Sequence, residues 1–146
     1  MTLLTVILLA LLNMGSTTSD NQQDGRIRLM VENLRNDAGM VRVVLFNSED
    51  GFPGKHEKGW KVVNVKAEQP VTMVTFDKVP HGVYALAVLH DENENGRMDT
   101  NFVGMPKEGY GVSNNAKASM FGPPLYDDAV FMLDAEEISL NISLVY

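Results

Sequence analysis

A short acidic segment of the sequence has the oxygen-ligand spacing of a calcium-binding loop. Side-chain oxygens lie at positions 1, 3, 5 and 9 of this segment, in Asp91, Asn93, Asn95 and Asp99. Gly96 occupies position 6, where glycine permits the sharp turn that brings the position-7 carbonyl round to the ion. Calcium takes about six to eight hard oxygen ligands, and alternate residues of a tight loop point inward. The pattern therefore predicts a calcium site that includes the carbonyl of Arg97.

The final ligand of such a loop departs from the expected pattern. A bidentate Glu belongs at position 12, and this sequence has Phe102 there. Glu108 is our first candidate to close the shell. With Asp91 and Asp99 as the only charged ligands in place, we expect a dissociation constant of about 10⁻⁴ to 10⁻³ M. The alternative is a solvated connection whose Asn and Asp side chains bond only the local backbone.

Aromatic side chains follow the acidic segment, among glycines and prolines. They are Phe102, Tyr110, Phe121 and Tyr126. This composition is typical of a ligand groove in which a sugar or a peptide stacks on aromatic rings. The alternative is that these rings pack into a small satellite core beneath a long loop. The two interpretations are compatible if calcium orders the groove.

Catalytic signatures are sparse. His56, His81 and His90 are far apart in sequence, and no G-x-S-x-G nucleophile motif is present. We therefore expect a non-catalytic binding or assembly module whose ligand is a carbohydrate, a peptide or another protein. One alternative is a hydrolytic enzyme that uses His90 and the loop carboxylates. Another is a purely structural module in which the metal only stiffens the fold.

The elements that must position these residues are strands. Apolar residues recur with period two in seven short runs, at residues 27–31, 41–45, 60–65, 71–76, 83–90, 128–133 and 138–144. We expect an all-β fold, an antiparallel β-sandwich of about seven strands. The first two runs, with turn residues at positions 36–39 between them, should form a hairpin. The fifth run, apolar on both faces, should be a central strand. Residues 91–126 form one long irregular loop, of the kind that is usually functional.

Composition fits one globular domain and excludes several classes of partner and site. The chain has 146 residues, 45% of them hydrophobic, and a net charge of −7. This charge repels nucleic acid and anionic lipid. Because cysteine is absent, a disulfide scaffold, a thiolate metal site and a lipid-anchored cysteine are excluded. The sequence leaves the oligomeric state open.

The first residues predict export. Residues 1–19 carry no charge, and the apolar run at residues 3–12 is shorter than the roughly 20 residues of a membrane span. We interpret residues 1–19 as a signal peptide and residues 20–146 as a single β-sandwich domain. The expected location is periplasmic or extracellular, without a stable membrane span.

A known family shares these features. Residues 90–115 read HDENENGRMDTNFVGMPKEGYGVSNN. This segment resembles the uncharacterised bacterial exported family known as domain of unknown function 2141, as does the Gly51-Phe52-Pro53 segment. The pattern F-x-x-V-P-x-G-x-Y-A at residues 76–85 is similar to a turn and strand of transthyretin-like and carboxypeptidase-regulatory-type sandwiches. The resemblance covers nearly all of residues 20–146 and implies a transthyretin-like or immunoglobulin-like sandwich.

Overall fold

Two β-sheets pack face to face in the computed structural model, which describes residues 22–146. The strands are β1 (Asp24–Glu32), β2 (Met40–Phe46), β3 (Lys61–Lys66), β4 (Val71–Pro80), β5 (Gly82–Asp91), β6 (Gly109–Val112), β7 (Phe131–Leu133) and β8 (Glu137–Ser143). One short helix, α1, spans Tyr126–Ala129, and 3-10 turns span His56–Lys58 and Ser113–Asn115. The predicted signal peptide lies outside the described residues. No helix within residues 22–146 is long and apolar enough to cross a membrane.

The smaller sheet has three strands in the order β4-β1-β8. In β1, buried Ile27, Leu29 and Val31 alternate with Arg26 and other residues that reach solvent, which is the period-two pattern of a strand with one covered face. β1 pairs antiparallel with β4 and parallel with β8. The all-β sandwich is confirmed, and it includes this one parallel pair.

The larger sheet has the order β3-β2-β5-β6, and β7 also pairs with β5. β5 is buried from Tyr84 to its end at Asp91, as expected for a central strand with two apolar faces. Its inner face packs on the core between the sheets. Its outer face belongs to a second apolar cluster, made of Val44, Phe46, Ala85, Ala87, Val112 and Ala129.

The predicted hairpin between the first two runs is wrong. β1 and β2 lie in opposite sheets, so residues 33–39 cross from one sheet to the other. Asn33 turns the chain with a positive φ of 65° and donates its Nδ2 hydrogen to the Leu144 carbonyl at 2.7 Å. Leu34 beside it is buried in the core. Both strands thus bury their apolar faces in one core, from opposite sides.

Two further details differ from the sequence prediction. The run at residues 128–133 is a strand only at Phe131–Leu133, because α1 occupies the residues before it. The long loop contains β6 (Gly109–Val112), whose sequence Gly-Tyr-Gly-Val is too short and too rich in glycine to show a period-two pattern.

Candidate metal and ligand site

The acidic loop is the connection between two paired strands. β5 ends at Asp91, β6 begins at Gly109, and His90 is paired with Gly109. This antiparallel pairing returns the chain beside its starting point, so residues 92–108 form a closed loop at one end of the larger sheet. The pairing also brings Glu108 next to the start of the acidic segment, although seventeen positions separate it from Asp91 in the sequence.

Asp91 is buried, with 3% of its surface exposed, and its carboxylate faces into the loop. Its Oδ1 accepts the backbone N–H of Asn95 at 3.0 Å, and its Oδ2 accepts that of Gly96 at 2.7 Å. Gly96 has a φ of 77°, a backbone conformation that side-chain-bearing residues rarely adopt. The glycine thus lets the chain fold its amides back onto Asp91.

Asp99 lies on the other side of the loop and receives two side-chain amides. Asn93 Nδ2 donates to Oδ2 at 2.6 Å, and Asn95 Nδ2 donates to Oδ1 at 2.9 Å. These hydrogen bonds lower the pKa of Asp99 below its usual value, and the one from Asn95 has the larger effect. The amide oxygens of Asn93 and Asn95 accept backbone N–H groups of Asn95 and Arg97. The loop therefore keeps Asp99 ionised beside these amide oxygens.

Glu108, 4% exposed, closes the mouth of the loop. Its Oε1 accepts the backbone N–H of Glu92 at 2.9 Å, and its Oε2 accepts that of Asp99 at 3.1 Å. The structure thus places Glu108 in contact with both arms of the acidic segment. Phe102, at position 12 of the motif, lies fully exposed instead.

A second set of contacts ties the loop to the crossing segment between the sheets. Arg35 forms a bidentate ion pair with Glu92, and Asn36 Nδ2 donates to Glu92 Oε1 at 2.7 Å. The Arg35 hydrogen bond is the main reason that the pKa of Glu92 falls to about 2, and the Asn36 bond lowers it further, against the opposing effect of burial. Arg35 also donates to the Lys107 carbonyl at 3.0 Å. Both ends of the loop are therefore held by one arginine.

His90 is fully buried and has both ring nitrogens engaged. Nε2 lies 2.8 Å from the Ala38 carbonyl and Nδ1 lies 2.7 Å from the Tyr146 hydroxyl. Because a carbonyl oxygen only accepts, Nε2 donates to Ala38, and Nδ1 pairs with the Tyr146 hydroxyl. His90 therefore fastens the end of β5 to its surroundings, and no atom of it is exposed to a substrate.

The oxygen atoms of the loop are suited to a hard cation, although carboxylates and imidazoles alone do not form a cluster there. Within the described part of the chain, no group of three or more His, Cys, Asp or Glu side chains is arranged to hold a metal. A calcium shell that combines Asp91, Asp99 and Glu108 with amide and carbonyl oxygens would therefore require these three carboxylates to move closer together than they lie in this structure. Each of these carboxylate oxygens accepts one hydrogen bond, which leaves it a second lone pair for an ion.

A groove of about 600 Å³ lies next to the loop on the outer face of the larger sheet. Its floor includes Leu89 and Tyr110, which are paired across β5 and β6. The acidic loop supplies one wall, with Gly96, Arg97, Met98, Met105 and Pro106. The other walls come from the connection around His56 and from a proline-rich segment at residues 122–124. The volume is within the usual range of small-molecule sites, about 300 to 1,000 Å³.

The four predicted aromatic residues do not form one platform. Tyr110 lines the groove, whereas Phe102 and Phe121 are exposed on the two segments beside it. Tyr126 packs edge-on against Phe52, 5.6 Å between ring centroids, and joins the outer apolar cluster. Tyr110 thus lines the groove, where ligand stacking stays a prediction, and Tyr126 packs against the outer apolar cluster.

Several residues that organise the site could not be identified from the sequence pattern. Arg35 and Tyr146 are distant from the loop in sequence and belong to no motif, and Asn36 could be interpreted only as a turn residue. Ser113 is buried, accepts the Leu86 N–H at 2.9 Å and donates to the Ala129 carbonyl at 2.5 Å. For Ser113, the only signal in the sequence was its position directly after a short strand.

Comparisons with known proteins identify a family. No curated protein and no solved structure matches the chain. The model of the family described as "uncharacterized protein conserved in bacteria (DUF2141)" matches residues 29–141. The match runs from β1 into β8 and includes the whole acidic loop. Because it covers most of the sequence, the chain belongs to the DUF2141 family.

Proposed function

We propose that this chain is an exported, non-catalytic binding or assembly module whose acidic loop is ordered by calcium. The observation that carries the proposal is that one wall of the groove consists of residues from the acidic loop, among them Gly96 and Arg97. An ion that fixes Asp91 and Asp99 would fix this wall as well, because both residues belong to the same short segment. Metal binding and ligand binding would then be coupled through the loop.

Calcium is favoured over a transition metal by the chemistry of the donors. Among residues 22–146, the oxygens that face the loop belong to carboxylates and amides, and His90 is engaged elsewhere. Hard oxygen donors suit calcium, and a flexible loop suits its variable geometry. In this proposal the ion draws in the oxygens of Asn93 and Asn95, and their amide contacts to Asp99 give way to contacts through the metal.

The ligand is a carbohydrate, a peptide or another protein, and its contact surface includes the groove. The exposed rings of Phe102 and Phe121, with exposed Met105 and Met120 near them in sequence, support an apolar contact around the groove. The hydrolytic alternative lacks support, because His90 is sealed in the core. The structural alternative shares the calcium site and differs in having no ligand in the groove.

A thermal melt with and without calcium tests the metal part of the proposal. An ion that binds only the native state raises its stability by RT ln(1 + [L]/Kd). With a dissociation constant of about 10⁻⁴ to 10⁻³ M, about 10 mM calcium would add about 1.4 to 2.7 kcal/mol. We expect a rise of several degrees in the midpoint with calcium, and a smaller rise with magnesium, which dehydrates reluctantly and demands stricter octahedral geometry.

Matched variants assign the effect to the loop. Asp91→Asn and Asp99→Asn each remove one charged ligand and should abolish most of the calcium-dependent rise. Asp134→Asn removes an exposed carboxylate outside the loop and should leave the rise unchanged. An equal midpoint in chelator and in calcium, or a rise that persists in both loop variants, would refute the calcium site.

A further inference from the structure

Arg42 lies on the sheet face that carries the groove. It belongs to β2 and shares a face with Val44 and Phe46 of the outer apolar cluster, since residues two apart on a strand point the same way. Its partner across the sheet is Leu89, which lines the groove floor. The Arg42 side chain therefore extends over the outer face of the larger sheet, beside the groove.

The guanidinium of Arg42 has no acidic partner in the described part of the chain. Arg26, Arg28 and Arg35 each lie within ion-pair distance of a carboxylate, whereas no such pair involves Arg42. Its Nε is shielded from solvent and has no hydrogen-bond partner. The Asp91 carboxylate accepts the backbone N–H groups of Asn95 and Gly96 and forms no ion pair with Arg42. A shielded guanidinium N–H without an acceptor is destabilising.

The charge of Arg42 acts on the groove wall. Its Nη1 lies 3.4 Å from the point where a Cβ on Gly96 would stand, and Gly96 lines the groove. His56, which also lines the groove, has a lowered pKa, first because of its burial and then because of the positive charge of Arg42. Glu57 and Asp91 act in the opposite direction and raise the pKa of His56, each by less than Arg42 lowers it. Arg42 is thus the largest charge effect on His56.

We propose that the groove binds a small apolar carboxylate whose charged end is received by Arg42. The groove lining is mainly glycine, proline, methionine and aliphatic residues, which suit the apolar body of such a ligand. A guanidinium matches a carboxylate with two parallel hydrogen bonds, and the Nη1 of Arg42 lies beside Gly96 of the groove wall. This inference rests on the proposed function, because it names the ligand chemistry of the same groove.

Two matched probes test the inference on the native protein. The probes are 4-phenylbutanoate and its neutral amide, 4-phenylbutanamide, titrated by calorimetry with calcium present and again in chelator. We expect the carboxylate to bind at least about tenfold more tightly than the amide, a difference of about 1.4 kcal/mol. Raising the salt concentration should weaken the carboxylate complex and leave the amide complex unchanged.

The variant Arg42→Met keeps much of the apolar stem and removes the charge, so it should reduce carboxylate affinity to that of the amide. Arg28→Met, on the three-stranded sheet, is the matched control and should leave both affinities unchanged.

Equal binding of the two probes, or equal effects of the two variants, overturns the role of Arg42 and leaves the groove as a binding site. If neither probe binds at millimolar concentration, the carboxylate inference fails, while the calcium melt still tests the metal part of the proposed function separately. The comparison of probes on the native protein does not depend on a variant that folds.

Discussion

At the scale of single residues, His90 explains how the acidic loop is joined to the rest of the fold. Its ring contacts the Ala38 carbonyl on one side and the Tyr146 hydroxyl on the other. The same hydroxyl accepts the backbone N–H of Arg35 at 3.1 Å, and the Arg35 guanidinium lies over the Tyr146 ring, 4.6 Å from its centroid. Because Arg35 also pairs with Glu92, Tyr146 supports the residue that holds the loop.

The variant Tyr146→Phe should therefore destabilise the protein. It removes the hydroxyl that pairs with His90 Nδ1 and accepts the Arg35 backbone N–H, and it keeps the aromatic ring. A buried nitrogen left without a partner costs about 1 to 3 kcal/mol, and we expect about 1.5 kcal/mol from urea unfolding curves. Tyr126→Phe is the control, since the Tyr126 hydroxyl has no hydrogen-bond partner within residues 22–146, and it should change stability by less than about 0.5 kcal/mol. Equal effects of the two variants would contradict the role given to Tyr146.

The residues of the acidic segment could be grouped from sequence because their spacing is local. Asp91 and Asp99 lie within one tight loop, so the positions of glycine and oxygen residues suffice to bring them together. Glu108 joins them because β5 pairs with β6. This pairing is a long-range contact, and a local sequence pattern does not specify it. Arg35 and Tyr146 reach the site from other segments and leave no sequence signal.

Among the secondary-structure elements, periodicity located most of the strands. It misjudged two connections, the crossing between β1 and β2 and the long loop that contains β6. An alternating run reveals which side chains face the core, and this held for β1 and β8. Periodicity does not reveal the partner of a strand, so the turn-like residues 36–39 wrongly suggested a hairpin. The crossing connection is held by long-range hydrogen bonds, such as that from the Asn33 side chain to the Leu144 carbonyl, which sequence alone does not reveal.

Ser113, the first residue after β6, connects α1 to β5. The Ser113 hydroxyl links the Leu86 amide in β5 to the Ala129 carbonyl in α1, and its side chain is buried. Ser113→Ala leaves both groups without this partner, and we expect a loss of about 2 kcal/mol in chemical denaturation. The control Ser119→Ala removes an exposed hydroxyl and should cost less than about 0.5 kcal/mol. A Ser113 variant as stable as the control would show that α1 is held by packing alone.

At the scale of the whole molecule, the class of fold could be predicted and the closure of the sandwich could not. Short alternating runs and the absence of a long amphipathic pattern were enough to indicate two packed sheets. After β8, however, Val145 leaves the smaller sheet and pairs with Tyr110 of the larger one, through two hydrogen bonds of 2.9 and 3.0 Å. This contact joins the sheets at the end that carries the acidic loop, so the loop is anchored to both.

The net charge of −7 acts on the molecule as a whole and predicts two opposite responses to salt. Excess negative charge destabilises the compact state and attracts a divalent cation, and salt screens both effects. Raising sodium chloride from about 20 mM to about 200 mM should therefore raise the melting midpoint in chelator and reduce the increment that calcium adds. Potassium chloride is the control, because screening depends on ionic strength and should give the same curves. A calcium increment that stays constant with salt would show that affinity is set inside the loop alone, and one specific to sodium would indicate competition for the site.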